Sequence, residues 1–230
     1  NATNFNPNLD DAAHALAAVG TNVLIGGTFL KADSVPNPAF GGFAKASGTR
    51  TIDGYVYDTA SAWSLVRQAD GKTIVAGDYF LDTGGVFYRG LIRLNTDDTL
   101  DTGWNPSVQG QVVTASLGPA IDNTVLIGGT FTKIGATARR NLAAVSLSTG
   151  LATAFDANVN GVVNKVLVDG SSAYIGGRFT QVGGNTRLFI AAVHPTTGAL
   201  LAWYPAGGSN GFVETLAVDG SNVHLGGDFF

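Results

Sequence analysis

Apolar residues in this chain come in short runs, each closed by a glycine or a glycine pair and an aromatic. Val23-Leu24-Ile25-Gly26-Gly27-Thr28-Phe29 recurs letter for letter at 125–131. Looser copies are Val75-Ala76-Gly77-Asp78-Tyr79, Ile175-Gly176-Gly177-Arg178-Phe179 and Leu225-Gly226-Gly227-Asp228-Phe229. The glycine common to all five copies is Gly27, Gly77, Gly129, Gly177 and Gly227, at steps of 50, 52, 48 and 50. No run of ten to twelve residues carries helical apolar spacing, and none is long and apolar enough to span a membrane. An internal repeat of about fifty residues therefore decides the architecture.

One repeat reads as four strands. Val163–Val168 is apolar on both faces, and Asp169-Gly170 is a hairpin signal. Ser172–Gly177 returns. Phe189–Val193 is a third strand, and after the turn 194–198 Ala199–Trp203 is a fourth. A lone meander of this size cannot bury both faces, whereas five in tandem can stack around an axis. A glycine inside a strand implies close approach of another backbone or ring. Phe5, Tyr55, Trp104, Phe155 and Trp203 mark the fourth strands. Pro7, Pro106 and Pro205 follow three of them, as suits an outer edge.

The expected fold is all-β: a five-bladed β-propeller of four-stranded blades, or part of a larger one, with residues 1–230 forming one domain. The chain opens on a fourth strand, Thr3–Pro7, and ends after a second strand. The N-terminal strand is thus expected to close the last blade, whose third strand is missing. With no initiator Met, the chain reads as processed or as a fragment of a longer secreted protein.

Composition narrows the function. Net charge is −4 and only 13% of residues are charged, so no footprint for nucleic acid or an anionic membrane is present. Sixteen of seventeen acids are Asp, a turn and cap former, and Glu214 is the one Glu. Cys and Met are absent, which excludes disulfides, thiolate metal sites and thiol nucleophiles. The lack of oxidisable sulfur suits an extracellular protein.

The second repeat carries Asp70-Gly71-Lys72-Thr73-Ile74-Val75-Ala76-Gly77 and Arg93-Leu94-Asn95-Thr96-Asp97-Asp98-Thr99-Leu100-Asp101. These stretches resemble the bacterial delta-sixty-type repeat propeller, with Asp98 where that pattern has Gly. The glycine pairs are similar to those of kelch-like blades, without the kelch tyrosine. The resemblance implies a large secreted or surface-attached bacterial protein, and it brings no shared catalytic residues.

Candidate chemistry is sparse. Thirteen residues before each repeat glycine stand His14, Ser64, Ser116, Asn164 and Glu214, all polar and expected as a ring at a channel mouth. His14 and Glu214 are its titratable pair. The histidines lack metal-ligand spacing; His224 reads as a core or half-buried position and His194 as exposed. Arg89, Arg139, Arg140 and Arg187 are expected to tie loops to carbonyls or to Asp78 and Asp228 rather than to bind an anionic glycan. Asp97, Asp98 and Asp101 lack a calcium-loop spacing. Asn1-Ala2-Thr3 is a glycosylation sequon at a terminus.

The expectation is a non-catalytic structural or interaction module at the cell surface or outside the cell: adhesin, scaffold, filament or sheath. No catalytic, metal or cofactor residues are assigned. Partners are other proteins, surface glycans or further copies of the chain, with no nucleic acid and no membrane insertion. One alternative is a lectin-like propeller, for which Tyr204 and Phe212 are the loop aromatics. Another is a five-bladed glycosidase drawing on Glu214, Asp10, Asp11 and Asp156.

Overall fold

The computed structural model describes residues 5–36, 39–52, 61–205 and 208–229. Tyr55, the sequon at 1–3, and Thr3 and Asn4 of the expected N-terminal strand lie outside them. The chain divides into two compact units, 1–107 and 108–230.

The first unit holds two repeat sheets and a small two-stranded ribbon, Lys31–Ala32 with Val35–Pro36. In repeat 1, Ala13–Val19 (inner), Asn22–Gly27 (second), Phe40–Ala44 (third) and Arg50–Ile52 (fourth) pair in that order. In repeat 2, Ser61–Arg67, Thr73–Thr83 and Val86–Leu94 form a three-stranded meander. Successive residues of the second strand point to opposite faces. Leu24 therefore joins Ala62, Val75, Tyr79 and Tyr88 between the two sheets, while Ile25 joins Phe29, Ala32 and Phe43 on the other face.

The second unit repeats this plan. Its sheets are Val112–Leu117, Thr124–Gly129 and Leu142–Ser146; then Val163–Asp169, Ser172–Gly177 and Ile190–Val193; then the pair Phe212–Asp219 and Asn222–Asp228. Phe155, Val163, Ile175, Phe179 and Val182 fill one layer. Ile190, Val213 and Leu216, with Tyr174 and Trp203 against them, fill the next.

Three expectations need correction. The repeat-4 hairpin turns on Gly170-Ser171, because Asp169 still pairs with Ser172. Gly170 takes φ +54° at the first turn position, where a type II′ turn favours glycine.

The fourth strand is mostly a single bridge: Leu94 to Leu100, Val145 to Ala152, Val193 to Leu200. Side chains capture the backbone there instead. Asn6, Asn105 and Asp156 each accept the N–H two residues on, from Asn8, Ser107 and Asn158. The three donor residues, Asn8, Ser107 and Asn158, sit at φ +45 to +49°. Such local turns compete with a ladder.

Finally, residues 5–7 form no strand, and Phe5 packs on the Ile25, Phe29 and Phe43 cluster of the first sheet. The described part of the N-terminal segment thus packs on the first repeat without forming the expected strand. Phe155 does the same in the second unit, packing in the cluster of Phe179, 24 positions on, as Phe29 is from Phe5.

All five repeat glycines lie in second strands. A Cβ on Gly27, Gly77, Gly129, Gly177 or Gly227 would fall on the carbonyl oxygen of Ala12, Ser61, Gln111, Val162 or Phe212. Phe29 and Tyr79 rings crowd the first two as well. The preceding glycine meets the next sheet: Gly26 faces the Ala62 methyl, Gly128 faces Val163 and Gly176 faces Val213. Replacing Gly177 by Ala should cost about 1–3 kcal/mol or more, since backbone must move. Gly103→Ala, whose nearest new contact is an Asp101 carboxylate oxygen at 3.5 Å, is the control. Urea unfolding of both variants checks this; equal midpoints would remove the close-approach explanation.

Candidate functional site

Each inner strand carries one extruded residue. Repeat 1 pairs Ala13 with Gly27 and then Ala15 with Gly26, leaving His14 over. The same bulge leaves Trp63, Val113, Asn164 and Glu214 in the later repeats. A bulge re-aims a side chain away from the ladder. It sits where the glycine admits the inner-strand carbonyl, so one local irregularity produces both features.

This corrects the polar ring. His14, Asn164 and Glu214 are equivalent positions, but Ser64 and Ser116 are not; Trp63 and Val113 stand in their places. The cause is the inner hairpin. Its loop is two residues long in repeats 1, 4 and 5, spans 68–72 in repeat 2, and spans 118–123 with a short 3-10 turn in repeat 3. Counting back across unequal loops slips the frame. Ser64 lies opposite Ala76, and Ser116 opposite Leu126. Ser116 Oγ accepts the Val168 N–H at 3.2 Å, and Thr114 Oγ1 accepts the Val166 N–H at 3.3 Å. These hydroxyls bind the exposed edge of the next inner strand.

The true bulge residues meet their neighbours. In the first unit the His14 ring lies 4.4 Å from Trp63, and Thr28 Oγ1 is 3.4 Å from His14 Nε2. In the second, Glu214 accepts Asn164 Nδ2 at 2.9 Å and Arg178 Nη2 at 3.0 Å. Arg178 also lies 4.8 Å from the Phe212 ring centre. Glu214 is thus held by a cation and an amide. His14 and Glu214 fall in different units, and each is engaged within its own.

The remaining candidates are mostly structural. Asp10 Oδ1 accepts the Leu30 and Lys31 N–H groups at 2.8 and 2.9 Å, and the Lys31 bond above all holds its carboxyl below the usual range. Asp11 caps Ala12, and Asp156 caps Asn158. Arg139 donates to the carbonyls of Phe155, Thr153 and Ala138. Arg187 lies over Tyr204, whose hydroxyl accepts the Leu188 N–H. Arg140 is exposed, and Arg89 sits in the long ribbon opposite Phe80. Arg178 pairs with Glu214 rather than with an aspartate.

His194 is half-buried rather than exposed, its Nδ1 accepting the Thr196 N–H. His224 is exposed rather than core, because Val223 and Leu225 take the packed face of their strand. Among the described residues no group of three His, Asp or Glu side chains is placed to hold a metal.

The repeat-2 signature residues converge. Asp101 Oδ2 accepts Lys72 Nζ at 2.8 Å and Arg93 at 2.8 and 2.9 Å. The Arg93 guanidinium lies 4.8 Å from the ring centre of Trp104, which is fully buried. Burial raises the Asp101 carboxyl, but bonds and charge from Lys72 and Arg93 outweigh it and hold it below the usual 3.8. Asp98 is the opposite case. It occupies the turn position of Gly48, Gly150 and Gly198, at φ +64°, with a buried oxygen lacking a partner. Burial pushes its carboxyl up, Arg67 pulls it down, and Asp97 raises it again.

Residues 68–103 match the family model described as a domain of unknown function (DUF5122) beta-propeller. The match supports a β-propeller repeat. It covers the stretch whose Lys72, Arg93 and Asp101 form the ionic cluster. No curated protein matches. Among solved structures, the computationally designed Ika4 protein is 12% identical, covering 80% of this chain and 92% of its own, with a TM-score of 0.47. The computationally designed Ika8 protein is 13% identical, covering 93% and 92%, with a TM-score of 0.30.

Two measurements test this propeller repeat. Asp101→Asn should destabilise by about 1–3 kcal/mol at pH 7. Because the folded carboxyl is held below 3.8, its contribution is present above that pH and fades as pH falls through the folded value. The difference between wild type and variant should therefore shrink on acidification, and a pH-independent gap would contradict the ion-pair assignment. Asp98→Gly should instead stabilise by about 0.5–1 kcal/mol by relieving left-handed strain, read as a higher melting temperature near neutral pH.

Proposed function

We propose that the chain is a non-catalytic structural and interaction module of an extracellular or cell-surface protein, its five glycine repeats being blades of one β-propeller of the delta-sixty type. One observation carries this reading. The polar groups are largely used in holding the fold together, as in the Lys72–Asp101–Arg93 cluster of repeat 2 and the recurring Asx turns of Asn6, Asn105 and Asp156. The positions that vary, such as His14, Trp63, Val113, Asn164 and Glu214, sit on the bulges. A scaffold with fixed internal bonds and variable bulge side chains suits recognition of partners rather than a reaction. The absence of Cys and Met supports an oxidising surrounding.

The test is a screen of the purified chain against chromogenic glycosides, esters and polysaccharides, with antibody labelling of intact source cells. No turnover and surface labelling are expected. Turnover abolished by Glu214→Gln or His14→Ala would replace the module with an enzyme.

A further inference from the structure

The loop before the inner strand of repeat 4 carries a clamp that repeat 1 also forms, with an aspartate in place of an asparagine. Asn160 Oδ1 accepts the Thr180 and Gln181 N–H groups, both at 2.9 Å, and the Asn160 N–H donates to the Gln181 carbonyl at 3.2 Å. Asp10 does the same in repeat 1. Its Oδ1 takes the Leu30 and Lys31 N–H groups, and its own N–H donates to the Lys31 carbonyl at 3.3 Å. A carboxylate therefore fits this clamp as well as an amide does. The next residue differs. Gly161 follows Asn160, and a Cβ there would stand 2.6 Å from the Arg178 carbonyl oxygen and 2.8 Å from the Phe179 α-carbon. Close approach thus fixes a glycine after the asparagine. The Gly161 N–H has no hydrogen-bond partner among the described residues, and Asn160 is exposed.

We propose that Asn160 is a self-modification site, converted by its own backbone into aspartate. The Gly161 nitrogen, having lost its proton to hydroxide, attacks Asn160 Cγ and closes a cyclic imide. The Cγ–Nδ2 bond breaks and ammonia leaves. Water then adds at Cγ and breaks the new bond to the Gly161 nitrogen, which takes back a proton. The sum is amide plus water giving acid plus ammonia, with no oxidant or cofactor. The clamp serves each step. The Thr180 and Gln181 N–H donors lie at the distance that stabilises an oxyanion on Oδ1. Thr180 Oγ1 accepts from Nδ2 at 2.9 Å, so its own hydroxyl proton can pass to the leaving ammonia. Glycine leaves the attacking nitrogen unshielded. The donors on Oδ1 direct water to Cγ, which restores the normal backbone, whereas addition at the Asn160 main-chain carbonyl would give isoaspartate. The product is the clamp Asp10 already forms, with one added negative charge. Asn210-Gly211 is the internal contrast. The Asp228 carbonyl oxygen fixes Gly211 in the same way, but the Gly211 N–H is taken by Ser209 Oγ at 3.3 Å. The assignment stands whether or not the interaction role above holds.

The test is a time course of the whole chain at mildly alkaline pH, folded and in urea. Tandem mass spectrometry of tryptic peptides locates each gain of one mass unit, and an isoaspartyl methyltransferase scores isoaspartate. Asn160 should convert about tenfold faster in the folded chain than in urea, and about tenfold faster than Asn210 in the folded chain. Aspartate should be the major product. Thr180→Val should slow folded Asn160 about tenfold and leave its rate in urea unchanged. Asn160→Asp should melt at the wild-type temperature, since the clamp survives. Gly161→Ala is set aside because its Cβ would displace backbone. The wild-type comparison of folded chain with urea needs no variant and decides the matter should Thr180→Val fail to fold. An Asn160 that stays intact in the folded chain, or converts no faster there than in urea, would overturn the proposal. So would an equal rate at folded Asn210, isoaspartate as the major product, a folded Thr180→Val chain with an unchanged rate, or a lowered melting temperature for Asn160→Asp.

Discussion

A glycine α-carbon pressed on a carbonyl oxygen organises every repeat of this protein. The carbonyl belongs to the residue just before the one paired with the glycine, and it reaches the glycine where the strand bulges immediately after that pair. Remove the bulge and the carbonyl retreats; add a Cβ and the bulge cannot form. The bulge also turns the following inner strand, so that its neighbour in the next sheet seats a small or β-branched side chain on the preceding glycine. Ala62, Val163 and Val213 occupy that seat. Sheet stacking within each unit follows from one steric allowance at one residue.

The polar groups complement this steric scheme. Where the third strand turns out, ladder bonds give way to Asn and Asp side chains bonding to N–H groups two residues on. The high Asp and low Glu content has its explanation there: a short carboxylate reaches its own backbone neighbourhood, a longer one does not. Repeat 2 adds a charged version, with Asp101 drawing Lys72 and Arg93 over a buried tryptophan. Burial alone would disfavour that carboxylate, and two cations reverse the balance.

The sequence made the repeats, the hairpins and the glycine role readable, because each depends on local spacing of about fifty residues or on a turn dipeptide. The fourth strands were over-read: the apolar run Ala199–Trp203 looks like a strand, yet the chain pairs once at Leu200 and leaves. The packing partner of the N-terminal segment was not readable for a related reason. Its aromatic marks the repeat it precedes, which only the packing of Phe5 and Phe155 reveals. The polar ring failed at Ser64 and Ser116 because loop lengths between glycine and bulge differ, and a fixed count has no way to see them. The hydrogen bond from the Thr196 hydroxyl to Asp122 spans two repeats and leaves no periodic trace.

The unequal hairpins have an implication for how such a chain changes. Each bulge restarts the register, so residues gained or lost between inner and second strands are absorbed before the glycine is reached. Five loops of two to six residues coexist with five equivalent bulges. Insertions and deletions at that spot are thereby mechanically insulated from the stacking. One repeat can acquire a new surface loop by lineage-specific lengthening while its siblings keep theirs unchanged.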